Sequence, residues 1–139
     1  MAHGHRSIPA ARDVLAKTLD IEVVALKLVD KRFYHLDTCF CPLEGGFVLY
    51  YPPAFDEDSQ KLIERNVPAA RRIAIEEDDA LAFACNAVNV ERTVIVNHAS
   101  AGFVTALGRK GFEVVQTPLS EFMKAGGSAK CLTLRLDEP

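Results

Sequence analysis

The run "FYHLDTCFC" at residues 33–41 places a histidine, a carboxylate and two thiols within nine positions, and a third thiol, Cys131, stands in "KAGGSAKCLTLRL" near the far end of the chain. Those groups suit three chemistries: a metal site, a disulfide, or a covalent catalytic site divided between two segments. Cys39-x-Cys41 lacks the two-to-four-residue spacer of a zinc knuckle, and Cys85 and His98 stand alone instead of forming a second ligand pair. A disulfide between residues two apart would be strained. The plain alternative for Cys39 and Cys41 is a pair of buried thiols that pack like small hydrophobes.

The covalent reading needs a nucleophile, and Cys131 is the candidate. It follows a double glycine that lets the backbone turn sharply, and Lys130 beside it supplies a cation that favours the attacking thiolate. A cysteine nucleophile needs an acid and base partner, which His35 can supply, and Asp37 lies two residues further on. If 34–38 is extended, His35 and Asp37 face one side while Leu36 packs behind. Against this, a core cysteine and a hydrogen-bonded interior histidine are the ordinary fates of such residues taken singly.

These groups need elements to hold them. Ser7 is expected to cap an amphipathic helix carrying Val14, Leu15 and Leu19, followed by a strand over 21–29. "GGFVLYYPP" reads as a strand bounded by Gly45-Gly46 and Pro52-Pro53, and a helix over 56–65 must stop before Pro68. "AARRIAIEEDD" reads as a strand entering a solvated acidic turn or helix start at 76–79, and "NAVNVERTVIVNH" as two strands around a turn at Glu91-Arg92. Ser100 caps a helix that stops by Gly111, and "FEVVQTP" is the next strand. Thr117 and Pro118 open a last helix that ends at Gly126-Gly127, and "CLTLRL" closes the chain as an alternating strand. The order strand, strand, helix, strand thus occurs about twice, with partial copies at both ends. That is an α/β (α+β) chain of modules, a pattern that suits radial arrangement.

The chain has 139 residues, the length of one domain, and no linker divides it. Its 16 basic and 19 acidic side chains give a net charge of −3, with the cations scattered, so nucleic acid is not an expected partner. No apolar run approaches the roughly 18 to 20 residues that span a bilayer, so no membrane partner is expected. The N-terminus lacks the order of a signal peptide, so a cytoplasmic address and reduced thiols are expected. "MAHGH" resembles an expression scar, which lowers the weight of His3 as a ligand.

"FYHLDTCFCPL" and "LSEFMKAGGSAKCLTLRL", in that order, resemble the guanidine-modifying enzyme superfamily, which includes arginine deiminases, amidinotransferases and dimethylarginine dimethylaminohydrolases. The resemblance covers about residues 4–136. It implies a partial αβ-propeller (pentein) of about two to three ββαβ modules, with 1–139 corresponding to the C-terminal half of a complete ring. It also implies that Cys131 is the nucleophile, His35 the acid and base, and Asp37 the partner of the guanidinium. In Gly4-x-Arg6-Ser7 it makes Arg6 a candidate anchor for the substrate carboxylate. No metal or organic cofactor is implied, and the expected ligand is a guanidino small molecule such as arginine or methylated arginine.

The earlier modules that supply further acidic residues in the family have no counterpart here. Two functions follow as expectations. One is an amidinotransferase- or dimethylargininase-like enzyme working through a cysteine amidino-thioether, completed by a second copy or by a separate N-terminal half. The other is a non-catalytic remnant that binds a ligand or a partner. Exposed strand edges and module faces predict oligomerisation on either reading.

Overall fold

In the computed structural model, which describes residues 1–134 and 136, the amino group of Met1 donates to the Val24 carbonyl at 2.7 Å. This tie sets strand β1 (Ala2–His3) parallel to β2 (Leu26–Lys27), with helix α1 (Ala11–Leu19) crossing between them. The first residues are therefore part of the fold. Gly4, at φ 127°, is required there, because a Cβ would lie 2.5 Å from the Leu28 carbonyl oxygen.

Two complete modules follow. In the first, β3 (Phe40–Leu43) turns at Gly45-Gly46 into antiparallel β4 (Phe47–Tyr50), helix α2 (Glu57–Asn66) crosses over, and β5 (Arg72–Ala74) returns parallel to β4. Helix α3 (Glu77–Leu81) leads to the second, in which β6 (Val88–Val90) and β7 (Thr93–Val96) are antiparallel, α4 (Ala101–Gly108) crosses over, and β8 (Glu113–Gln116) lies parallel to β7. A short helix α5 (Ser120–Met123) precedes the C-terminal segment. Each module is a three-stranded sheet with its middle strand flanked on both sides, and each central strand is the most apolar: Leu49, Val94 and Val96 are fully buried. Phe33, Phe55 and Leu107 complete the core between sheets and helices. The mixed α/β class and the repeated ββαβ unit agree with the sequence reading.

Several local expectations are corrected. Ser7 caps nothing: α1 begins after Ala10, with no side-chain cap, and buries none of its residues. The strand expected over 21–29 shrinks to two residues, because it has only the short β1 to pair with and Leu28 makes a single bridge to Phe55. Asp79 is not solvated; it is 3% exposed, and its carboxylate accepts from the Ser100 N–H and hydroxyl, each at 2.7 Å. The last helix starts at Ser120 instead of at Thr117-Pro118. No strand forms at 131–134, where Lys130–Leu132 is a 3₁₀ turn without a partner strand; Arg135 of that expected strand lies outside the described residues. Among the described residues, no helix is long and apolar enough to cross a membrane.

Candidate functional site

Fully buried Phe33 fixes the start of the motif, and the chain then enters a 3₁₀ turn at Leu36–Thr38. His35 is extended at its N-cap, and its carbonyl accepts the Thr38 hydroxyl at 2.7 Å. The extended backbone expected over 34–38 is therefore absent. Asp37 turns inward and is half-buried, whereas His35 is exposed, not interior.

Cys131 meets Asp37 across the molecule. Its sulfur lies 3.7 Å from Asp37 Oδ2, joining groups 94 positions apart. The third member is Asn86, which is fully buried in the turn between α3 and β6. Its Nδ2 donates to Cys131 Sγ at 3.2 Å, to Asp37 Oδ2 at 3.2 Å and to the Asp37 carbonyl at 3.3 Å. Its Oδ1 accepts the N–H groups of Ser128 at 3.0 Å and Cys131 at 3.2 Å.

Tyr34 forms the other wall. Its hydroxyl donates to the Gly126 carbonyl, its ring meets that of His35 edge-on at 4.9 Å, and the Arg6 guanidinium lies over it at 5.4 Å. Burial pushes the Tyr34 phenol up, the nearby Cys131 and Asp37 charges add to this, and Arg6 opposes it. Arg6 and His35 line one cleft of about 240 Å³, while Asp37 and Lys130 line another of about 540 Å³. Asp37 and Cys131 are thus in direct contact. Among the described residues the side chain of His35 hydrogen-bonds neither of them, and Arg6 reaches the group only through Tyr34.

The four cysteines are all free, and they differ in kind. Burial pushes the Cys39 thiol up to about 12, with the Asp37 charge adding, and the Cys41 thiol up to about 11; Cys85, fully enclosed, is raised further by burial. Only Cys131 is exposed. The burial expected of Cys39 and Cys41 is present, and the expectation that Cys131 opens a strand is replaced by the 3₁₀ turn. Among the described residues no group of three or more His, Cys, Asp and Glu side chains converges on a metal-binding point. An exposed sulfur beside a carboxylate can take a planar cation on the carboxylate and attack its central carbon. Sequence reasoning missed Asn86 and Tyr34, and it read Gly126 only as a helix end and a turn before Cys131. The one available signal for Asn86 was a lone amide inside the small apolar run "LAFACNAV".

No protein-family model matches the chain. It is 57% identical over 137 residues to the bifunctional arginine dihydrolase/ornithine cyclodeaminase ArgZ of Synechocystis sp., covering 99% of this chain and 19% of that protein. It is 41% identical over 134 residues to the N(G),N(G)-dimethylarginine dimethylaminohydrolase of Mycobacterium tuberculosis, covering 96% of this chain and 44% of that protein. The crystal structure of an asparagine-to-serine variant of the ArgZ N-terminal domain, covalently bonded to a reaction intermediate, superposes with a TM-score of 0.96 at 56% identity over 99% of this chain and 51% of that one. The chain thus spans about half of the length of these relatives at most, and about a fifth of the full-length ArgZ.

Proposed function

We propose, from the premise that this chain belongs to the guanidine-modifying enzyme superfamily, that it acts on arginine or a methylated arginine through a covalent cysteine intermediate. The observation that carries this reading is the exposed Cys131 sulfur 3.7 Å from the Asp37 carboxylate. Asp37 pairs with the guanidinium and holds its carbon against the sulfur. The bound cation offsets the carboxylate charge beside the sulfur. The thiolate adds to the guanidinium carbon; the carbon–nitrogen bond to the leaving amine breaks, and His35 gives that amine a proton. His35 then takes a proton from water, or from an acceptor amine, which attacks the amidino-thioether and returns the thiolate. Arg6, at the rim beside His35, is the candidate anchor for the substrate carboxylate.

Residues 1–139 are read as one unit corresponding to the C-terminal half of the ring. A second copy, or a separate N-terminal half, completes it. Apolar side chains on and after α1 support this: Val14, Leu19 and Ile21 are more than half exposed, beside an apolar cleft of about 340 Å³. The test is turnover of a panel of guanidino compounds, with release of ammonia, methylamines, citrulline and ornithine assayed with and without amine acceptors. Ammonia and citrulline from arginine, or a methylamine and citrulline from a methylated arginine, is the expected result. A second reading, a guanidino-binding module without turnover, is favoured by the lack of any hydrogen bond from His35 to the sulfur or to Asp37; binding without product across the panel would select it.

A further inference from the structure

We infer that Asn86 is the positioning residue of this site, its buried side-chain amide setting the Cys131 sulfur and the Asp37 carboxylate in register. The inference rests on Cys131 and Asp37 being the nucleophile and the guanidinium partner.

The amide orientation is fixed by chemistry. Oδ1 faces two backbone N–H groups, Ser128 and Cys131, which can only donate. The reverse orientation would set an NH₂ against those donors and an oxygen against the Asp37 carboxylate and carbonyl, so the side chain has one satisfiable pose. In that pose Nδ2 points at the sulfur and the carboxylate together.

The backbone of Asn86 joins in, since its carbonyl accepts the Lys130 N–H at 3.0 Å. Three N–H groups of the segment around the nucleophile, those of Ser128, Lys130 and Cys131, therefore close on this one residue. Asn86 itself is 0% exposed, so it touches no substrate and acts through the two groups it holds. A donor aimed at sulfur favours the thiolate, and the same donor aimed at Oδ2 leaves Oδ1 of Asp37 for the cation.

The pH dependence of Cys131 alkylation in the full chain tests this. The charged and titratable groups around Cys131 are Asp37 from the 3₁₀ turn, Tyr34 and His35 before it, Lys130 on its own turn, and Arg6 over the Tyr34 ring. Iodoacetamide is the probe, because it needs no guanidino recognition. Asn86→Asp keeps the acceptor for Ser128 and Cys131 and loses the donor; Asn86→Ala loses both without adding charge. In each, the alkylation rate at pH 7 is expected to fall about tenfold, the size of one charge-assisted hydrogen bond, with the profile displaced to higher pH. A variant that melts like the wild type and keeps the wild-type profile would overturn the inference. If neither variant folds, the wild-type protein decides: the Asn86 side-chain amide resonance should move when Cys131 is alkylated, and an unmoved resonance overturns the inference. A displaced profile in a chain that turns over no guanidino compound keeps the positioning role and removes the enzymatic reading. Turnover with an undisplaced profile does the reverse.

Discussion

At the scale of single residues, the four thiols give the sharpest expectation. Cys131 is exposed, and the other three are buried. Because Cys39 and Cys41 are raised to about 12 and about 11, both stay protonated up to and beyond pH 9 and offer no thiolate. A haloacetamidine, which mimics the guanidinium, should therefore label one site at pH 8, and Cys131→Ser should abolish labelling, as peptide mass mapping would show; equal labelling of all four would mean that no organised site exists. On the proposed mechanism, Asp37→Asn removes the charge that would pair with the guanidinium and should lower kcat/KM by roughly ten- to a hundredfold. The sequence singled out His35, Asp37 and Cys131 because side chains that do chemistry form short patterns, and the fold brings Asp37 and Cys131 into contact. Asn86 was not: an amide in an apolar run reads as a turn residue, and its five side-chain contacts all run to segments more than forty positions away.

Among the elements, helix α2 shows how local chemistry sets a boundary. Asp56 caps it, accepting the Ser59 N–H at 2.9 Å, and this bonding to Ser59 holds the Asp56 carboxyl below its ordinary value, against a smaller opposing effect of burial. Asp56→Ala should cost about 1 kcal/mol in denaturant melts. A carboxyl lowered by folding stabilises fully above its unfolded value of about 3.9 and loses that contribution as pH falls through the folded one. The wild-type advantage over Asp56→Ala should accordingly shrink below about pH 4. The alternation of strands and the cap at Ser100 made the ββαβ repeat legible, since these signals are local. The strand expected over 21–29 and the one expected at 131–134 carried the right pattern and failed for want of partners, which a pattern in one segment cannot reveal. The cross-links between elements were equally hidden: Asn89 Oδ1 accepts the Glu44 N–H at 2.6 Å, and Asn97 Oδ1 accepts the Leu119 N–H at 2.7 Å. Gly126 belongs with them. At φ 87° beneath the Tyr34 hydroxyl, it leaves no room for a Cβ, which would lie 2.5 Å from that oxygen. Gly126→Ala should therefore lower stability by about 1 kcal/mol or more, with slower Cys131 labelling, and both can be read from one melt and one labelling time course.

For the whole molecule, two complete modules and a parallel β1–α1–β2 pair leave apolar side chains exposed among the described residues. Light scattering across a concentration series is expected to give a mass above that of one chain, and a monomer at every concentration would remove the expectation of self-association. The span between Cys131 and Asp37 has another consequence, which concerns time. Helices and hairpins re-form from contacts a few residues apart, whereas the Cys131–Asp37 pair closes a loop of 94 positions and depends on the Asn86 turn in between. On dilution from denaturant the circular dichroism signal should return first, and selective reaction of Cys131 with a haloacetamidine should lag behind it. Competence at this sulfur is then a clock for the last step of folding, and an otherwise native-looking chain can still be chemically blank.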